Sequence, residues 1–281
     1  MEKYEQNSFD PYVRFINRRS LANSYPNLIY AFDYRLFYPV NGSIDVETGG
    51  KCITLETFAL LIIPPGVGYR LIVRDEPAEF YIVNFDFDSS RSETVCRPPV
   101  IKDFFDPQEI FSRFAIPPFE SLFHLSGVYE FESILREIDV ARETDEFTAR
   151  NIHSGLMKYL LVKAAFLSET RKRTEENIQI QRVKAYVECN YSQPINNSSV
   201  AKEIGYHPYY LSSFFLLSEG ITLHSYIESV RLKHAKEMLA TTPKPVYEIS
   251  RACGFSDSSY FIKFFSRHMG MTPKRYRALY M

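Results

Sequence analysis

The sequence predicts a two-domain α+β chain, with an antiparallel β-barrel and flanking helices at the amino end and an all-α region at the carboxy end. Three observations carry this reading. Aromatic and β-branched runs punctuated by Gly, Pro and Asn occupy the stretch from Tyr12 to Phe87, the period of apolar residues becomes helical after Pro117, and the last hundred residues repeat themselves. A length of 281 residues suits two domains or two plus a helical connector.

Five runs read as strands: AFDYRLFYPV, SIDVETGGKCITLE, FALLIIPPG, YRLIV and FYIVNFDF. The turn signals NG, TGG, PPG and RDEP separate them. Short strands at this spacing predict a small antiparallel barrel or sandwich over 1–115. Over 116–167, Phe131, Ile134, Leu135 and Ile138 fall at helical spacing, as do Ile152, Leu156, Tyr159, Leu160, Ala164 and Leu167. These predict two amphipathic helices joined near Glu143–Glu146. SETRKRTEEN, 168–177, is charged and without apolar anchors, and is expected to be a linker. From 178 to 281 the chain reads as helical, with breaks at Pro194, Pro208, Pro243, Pro245 and Pro273.

Hydrophobic residues make up 45% and charged residues 24%, which suits a globular chain with real cores. No apolar run reaches the length of a membrane span, and MEKYEQNSFDPYVRF lacks the layout of a secretory signal. Cys52, Cys96, Cys189 and Cys253 show no CxxC spacing and are expected as buried small residues in a reducing, cytoplasmic compartment. The net charge of −1 hides a division: 178–281 carries 13 Lys and Arg against 7 Asp and Glu, while 1–177 has a balance of −7. A basic carboxy-terminal region points to a polyanion partner for that region.

The repeat has a period near fifty residues. VAKEIGY (Val200–Tyr206) returns as ISRACGF (Ile249–Phe255) at an offset of 49, and YLSSFFLLSEGIT (Tyr210–Thr222) returns as YFIKFFSRHMGMT (Tyr260–Thr272) at an offset of 50. Each copy has the parts of a helix-turn-helix, at about 196–219 and 245–269. A short helix ends at Gly205 or Gly254, residues able to take a positive φ. A polar turn follows, in which Ser256 or Asp257 can cap the next helix. The next helix has an apolar stripe, Leu211/Phe214/Phe215 or Phe261/Phe264/Phe265, leaving the opposite face for a groove about 12 Å wide. Ser225–Ala240 between the copies is uninterrupted helix former spanning roughly 24 Å.

Gly254–Arg277, GFSDSSYFIKFFSRHMGMTPKRYR, resembles the signature of the AraC/XylS family of bacterial transcription regulators, and Ile178–Leu279 resembles that family's DNA-binding domain in length and order. The resemblance implies two helix-turn-helix subdomains joined by a long helix and docked in adjacent major-groove segments of double-stranded DNA. It also implies an amino-terminal domain that senses a signal or mediates dimerisation, with the helices of 116–167 as the dimerisation surface of a homodimer.

The outward face of the second recognition helix offers Ser258, Ser259, Ile262, Lys263, Ser266 and Arg267. Lys263 and Arg267 suit guanine edges or phosphates, and Ile262 a thymine methyl. In the first unit Tyr209, Ser212 and Ser213 are the candidate readers. Leu216 and Leu217 stand where the second unit has Ser266 and Arg267, a departure from the basic residues usual in the family. They either extend the local core, pack on the amino-terminal domain, or form an exposed patch for a partner such as RNA polymerase or a second protomer. Arg231, Lys233, Lys274, Arg275 and Arg277 are candidate phosphate contacts.

IIPPGVGYRL (Ile62–Leu71) resembles the cupin-like barrel at the front of many AraC-type regulators. Metal-binding cupins use His pairs, whereas Asp33-Tyr34-Arg35 and Tyr69 stand at the comparable places and none of the six His lies in the barrel expected over 1–115. A His-type metal site, a cofactor and a cupin-type isomerase or oxygenase are therefore not expected. The candidate pocket for a sugar or similar metabolite is expected at Tyr34, Arg35, Tyr69, Arg70, Tyr81 and Asn84, with Arg35 and Arg70 as orienting groups if the ligand is an anion. The alternative is that the tyrosines are only core.

Overall fold

The computed structural model describes residues 9–21, 24, 27–74, 77–90, 96–112 and 114–281. The RDEP turn lies partly outside these. The chain divides into two compact units, Met1–Thr170 and Arg171–Met281.

The amino-terminal unit holds β1 (Tyr12–Leu21), β2 (Ile29–Tyr30), β3 (Tyr34–Asn41), β4 (Ile44–Thr48), β5 (Lys51–Leu55), β6 (Leu60–Ile63), β7 (Tyr69–Val73), β8 (Ala78–Asp86), β9 (Val100–Ile101) and β10 (Phe123–Leu125). They form two five-stranded antiparallel sheets, ordered β1-β8-β3-β6-β10 and β5-β4-β7-β2-β9. This corrects the closed barrel expected from the strand runs. Closure requires first and last strands to pair, and the edge strands β1, β10, β5 and β9 have no such pairing among the described residues. Gly49 and Gly50, both at positive φ, turn the β4–β5 hairpin where TGG predicted a turn.

β1 was illegible as a strand because arginines interrupt its pattern. Two of its three arginines pair with β8: Arg14 Nε lies 2.5 Å from Asp86 Oδ2, and Arg18 Nη2 lies 2.6 Å from Glu79 Oε2. Strand alternation sends β3 to two cores. Tyr34, Leu36 and Tyr38 pack with α1 (Phe131–Ala141) and the start of α2 (Glu146–Asn190), whereas Phe37 packs between the sheets with Val46, Tyr69 and Phe80.

α2 runs for 45 residues, straight through the expected linker. Residues 168–177 contain no Gly or Pro, and Glu, Lys and Arg are good helix formers, so lack of an apolar anchor did not interrupt the helix. Met157, Leu160, Leu161 and Ala164 belong to the amino-terminal core, and Ile180, Val183 and Val187 to a core of the carboxy-terminal unit. No helix among the described residues is long and apolar enough to cross a membrane. Cys253 is buried, but Cys52, Cys96 and Cys189 are exposed, against the expectation of four buried thiols.

The carboxy-terminal unit continues with α3 (Asn197–Ile204), α4 (Pro208–Glu219), α5 (Leu223–Thr241), α6 (Val246–Ala252), α7 (Ser258–Met269) and α8 (Pro273–Tyr280). It has two cores sharing one helix. Leu223, Ile227 and Val230 of α5 pack with Val200, Leu211 and Phe215, while Ala235 and Leu239 pack with Ile249, Phe261 and Phe265.

Candidate nucleic-acid interface

Each helix pair is set by local chemistry. Gly205 (φ 86°) and Gly254 (φ 82°) supply the left-handed exits of α3 and α6. The two glycines differ in surroundings. A Cβ on Gly205 would meet nothing within 4 Å, whereas one on Gly254 would sit 2.3 Å from the Tyr191 carbonyl and 2.9 Å from Arg231 Nε. Asn196 and Ser199 form a reciprocal capping box at the start of α3. Asp257 caps α7, its carboxylate accepting from the Ser259 and Tyr260 amides at 2.6 and 3.2 Å. α4 instead begins at Pro208 after His207, with no side-chain cap. Gly220 and Gly270 end α4 and α7, and Thr222 and Thr272 cap the helices that follow, so the two copies keep one plan.

The predicted apolar stripe of α7 is buried: Phe261, Phe264 and Phe265. Outward lie Ser259, Lys263 and Arg267 at i, i+4 and i+8, with Ile262 beside them, 40% exposed. Ser258, half-buried at the start of α7, has its Oγ 2.8 Å from Ser250 Oγ and so bridges α6 and α7. The equivalent face of α4 is Tyr209, Ser213 and Leu217, with Leu216 beside them. Ser212 accepts from Asn197 Nδ2 at 3.0 Å and so ties α4 to α3. Leu217 is 86% exposed, Tyr209 82% and Leu216 45%, so the leucines do not extend the core.

The expected phosphate contacts separate into two groups. Lys274 and Arg275 stand exposed on the first turn of α8. Lys233 is exposed on α5, 3.4 Å from Glu188, which also faces His234 at 3.2 Å. Arg231 belongs elsewhere: its Nε donates to the Tyr191 carbonyl at 2.9 Å and its Nη2 to the Gln193 carbonyl at 2.8 Å. Burial lowers its guanidinium pKa from the usual value. Arg277 likewise donates to the Lys244 carbonyl. These two arginines satisfy carbonyls at chain turns, a role that sequence spacing does not reveal.

In the amino-terminal unit, Arg35, Tyr69 and Asn84 line one cavity of about 450 Å³, with Arg19, Phe37, Cys96 and Arg97. Arg35 Nε pairs with Asp33 Oδ1 at 2.8 Å. Burial pushes the Asp33 carboxyl up to about 6, the nearby Arg35 and Arg14 opposing it, and pushes the Tyr69 phenol up to about 12. Tyr34 and Tyr81 are not in this cavity. They lie on the opposite strand faces, in the core against the helices. Arg70 is also apart, its Nε donating to Glu47 Oε2 at 2.8 Å. Period-two alternation between Tyr34 and Arg35 was the signal that could have separated them.

The helix-turn-helix domain model matches residues 200–279. The uncharacterized HTH-type transcriptional regulator YobQ of Bacillus subtilis (strain 168) is 26% identical over 92% of each chain. The uncharacterized HTH-type transcriptional regulator YijO of Escherichia coli (strain K12) is 31% identical over 43% of this chain and 45% of its own, so there the likeness spans about half a relative's length. A solved transcriptional regulator with an AraC-type DNA-binding domain, from Chromobacterium violaceum, is 26% identical over 37% of this chain and 94% of its own, at a TM-score of 0.35. Residues 200–279 are thus a helix-turn-helix domain of the AraC type, and the relatives that this chain resembles are named HTH-type transcriptional regulators.

Proposed function

We propose that this chain is a cytoplasmic, sequence-specific transcription regulator that binds operator DNA through α4 and α7 and responds to a small molecule held in its amino-terminal unit. The observation that carries the first part is the face of α7, where Lys263 and Arg267 stand one turn apart beside Ser259 and Ile262, opposite a buried phenylalanine stripe. A helix of this kind presents donors to guanine O6 and N7 in a major groove. Lys233, Lys274 and Arg275 add exposed cations for phosphates, which set register and make binding salt-dependent. Gel-shift titration against DNA selected by the protein tests this; binding that is equal for all sequences at fixed salt contradicts it.

The effector site in this reading is the cavity of Arg35, Tyr69 and Asn84, whose polar groups sit among Phe15, Ile29, Phe37 and Leu71. Such a lining suits a sugar or a related metabolite with polar groups in fixed places. A ligand specific to the folded chain raises the melting temperature, so thermal-shift screening against sugars and organic acids is the test. Failure of every such compound to shift Arg35→Ala and wild type differently would remove the cavity from the proposal.

The chain works as a homodimer in this reading, through α2. Ile152, Tyr159, Val162 and Phe166 are exposed apolar residues spaced by seven, three and four, the spacing of a coiled-coil seam. Sedimentation of wild type and Tyr159→Glu tests it, the variant being expected as monomer. RNA polymerase is the further partner of an activator of this kind.

A further inference from the structure

We propose that α4 reads thymine methyl groups by apolar contact, so that the DNA site has one half read by cations and one half read by leucines and a tyrosine. This rests on the DNA-binding reading above and goes beyond it, because it fixes what the less polar unit recognises.

The register of the repeat places Tyr209, Ser213 and Leu217 where α7 carries Ser259, Lys263 and Arg267. α4 has no Lys, Arg or Asp, and its one ionisable carboxylate, Glu219, pairs with Lys184 at 2.6 Å. Its outward face therefore brings neither a charged donor to guanine nor an unpaired negative charge against phosphates. It brings Leu217 and Tyr209, among the most exposed large apolar side chains of the unit, together with Leu216. The apolar feature of a major groove is the C5-methyl of thymine. From Tyr209 to Leu217 the face covers about 12 Å, the length of three to four base-pair steps of ~3.4 Å. Ser213, at its centre, bonds to any base edge and does not oppose thymine. Both units are built on one plan and share α5, 19 residues or about 28 Å long, so a duplex that seats α7 meets α4 a groove further on, ~34 Å away.

The test selects duplexes from a random pool with the full chain, then identifies the half read by α7 as the one whose preference relaxes in Lys263→Ala. In the other half each thymine is replaced in turn by deoxyuridine, which removes only the methyl group. The expected result is about a threefold to fourfold loss of affinity for each contacted methyl, and in the double variant Leu216→Ser/Leu217→Ser a loss only at the methyl that Tyr209 still contacts. The exposed positions of both leucines leave the cores of the variant untouched. A second half without thymine preference, deoxyuridine duplexes bound as tightly as thymine ones, or an equal loss in the double variant overturns the inference. So does a selected site with an α7 half alone, which would assign the α4 face to a protein. A pool that yields no preferred sequence instead overturns the DNA-binding reading itself, and this inference with it.

Discussion

The two helix-turn-helix units differ least where the backbone must be made and most where another molecule would be met. Both end their first helix on a left-handed glycine, both end their second on another, and both follow with a threonine cap. Their outward faces diverge completely: serine, lysine and arginine on α7, against tyrosine, serine and leucine on α4. A duplicated fold holds its dihedrals and apolar stripes because losing either costs stability, while a solvent-facing residue costs little to change. This divergence of the outer faces is what the proposed division of tasks between the two units rests on.

The sharpest way to break the comparison is at the matched glycines. Gly254→Ala is expected to destabilise the chain by about 3 kcal/mol or more, since it adds a clash with the Tyr191 carbonyl to the strain of a positive φ. Gly205→Ala bears only the strain, about 1–2 kcal/mol. Denaturant midpoints of the two variants check this, and equal losses would show that the units are braced alike.

Next in size is recognition. Lys263→Ala should weaken binding to selected DNA by about 1–3 kcal/mol and relax specificity in one half of the site. Ser213→Ala at the matched place should change it by a few tenths. Gel-shift titration of both at one salt concentration decides, and reversed losses would make α4 the hydrogen-bonding reader.

The arginines offer a third contrast. Arg231→Ala should lower stability and leave the slope of log affinity against log salt unchanged, because its donors serve Tyr191 and Gln193. Lys274→Ala should keep stability and reduce that slope by about 1. The smallest effect belongs to the cap: Asp257→Ala should cost about 1 kcal/mol, and His207→Ala, where no cap bond exists, close to nothing.

Much of the carboxy-terminal unit could be read in advance because its signals are local. The positive φ of Gly205 and Gly254, the Asp257 cap and the buried Phe261, Phe264 and Phe265 each follow from neighbours a few residues away. What could not be read depends on partners far along the chain. Arg231, expected at a phosphate, bonds to carbonyls some forty residues distant, which its residue type did not announce. β1 was missed because its arginines hid the strand pattern until Asp86 and Glu79 were brought opposite. Residues 168–177, read as a linker, are helical, because the absence of Gly and Pro mattered more than the lack of apolar anchors.

By itself the sequence determined the number of helix-turn-helix units, their glycine exits, their buried faces and the divergence of their outer ones. These rest on dihedral preferences and on the 3.6-residue period, which a segment carries wherever it is placed. The tertiary structure alone decided which cations stay turned to solvent, which of Tyr34 and Arg35 lines the cavity, and that the strands among the described residues divide into two sheets. Those outcomes depend on which distant carboxylate, carbonyl or strand edge arrives within bonding reach, and a hydrogen bond is made only over the last few tenths of an ångström.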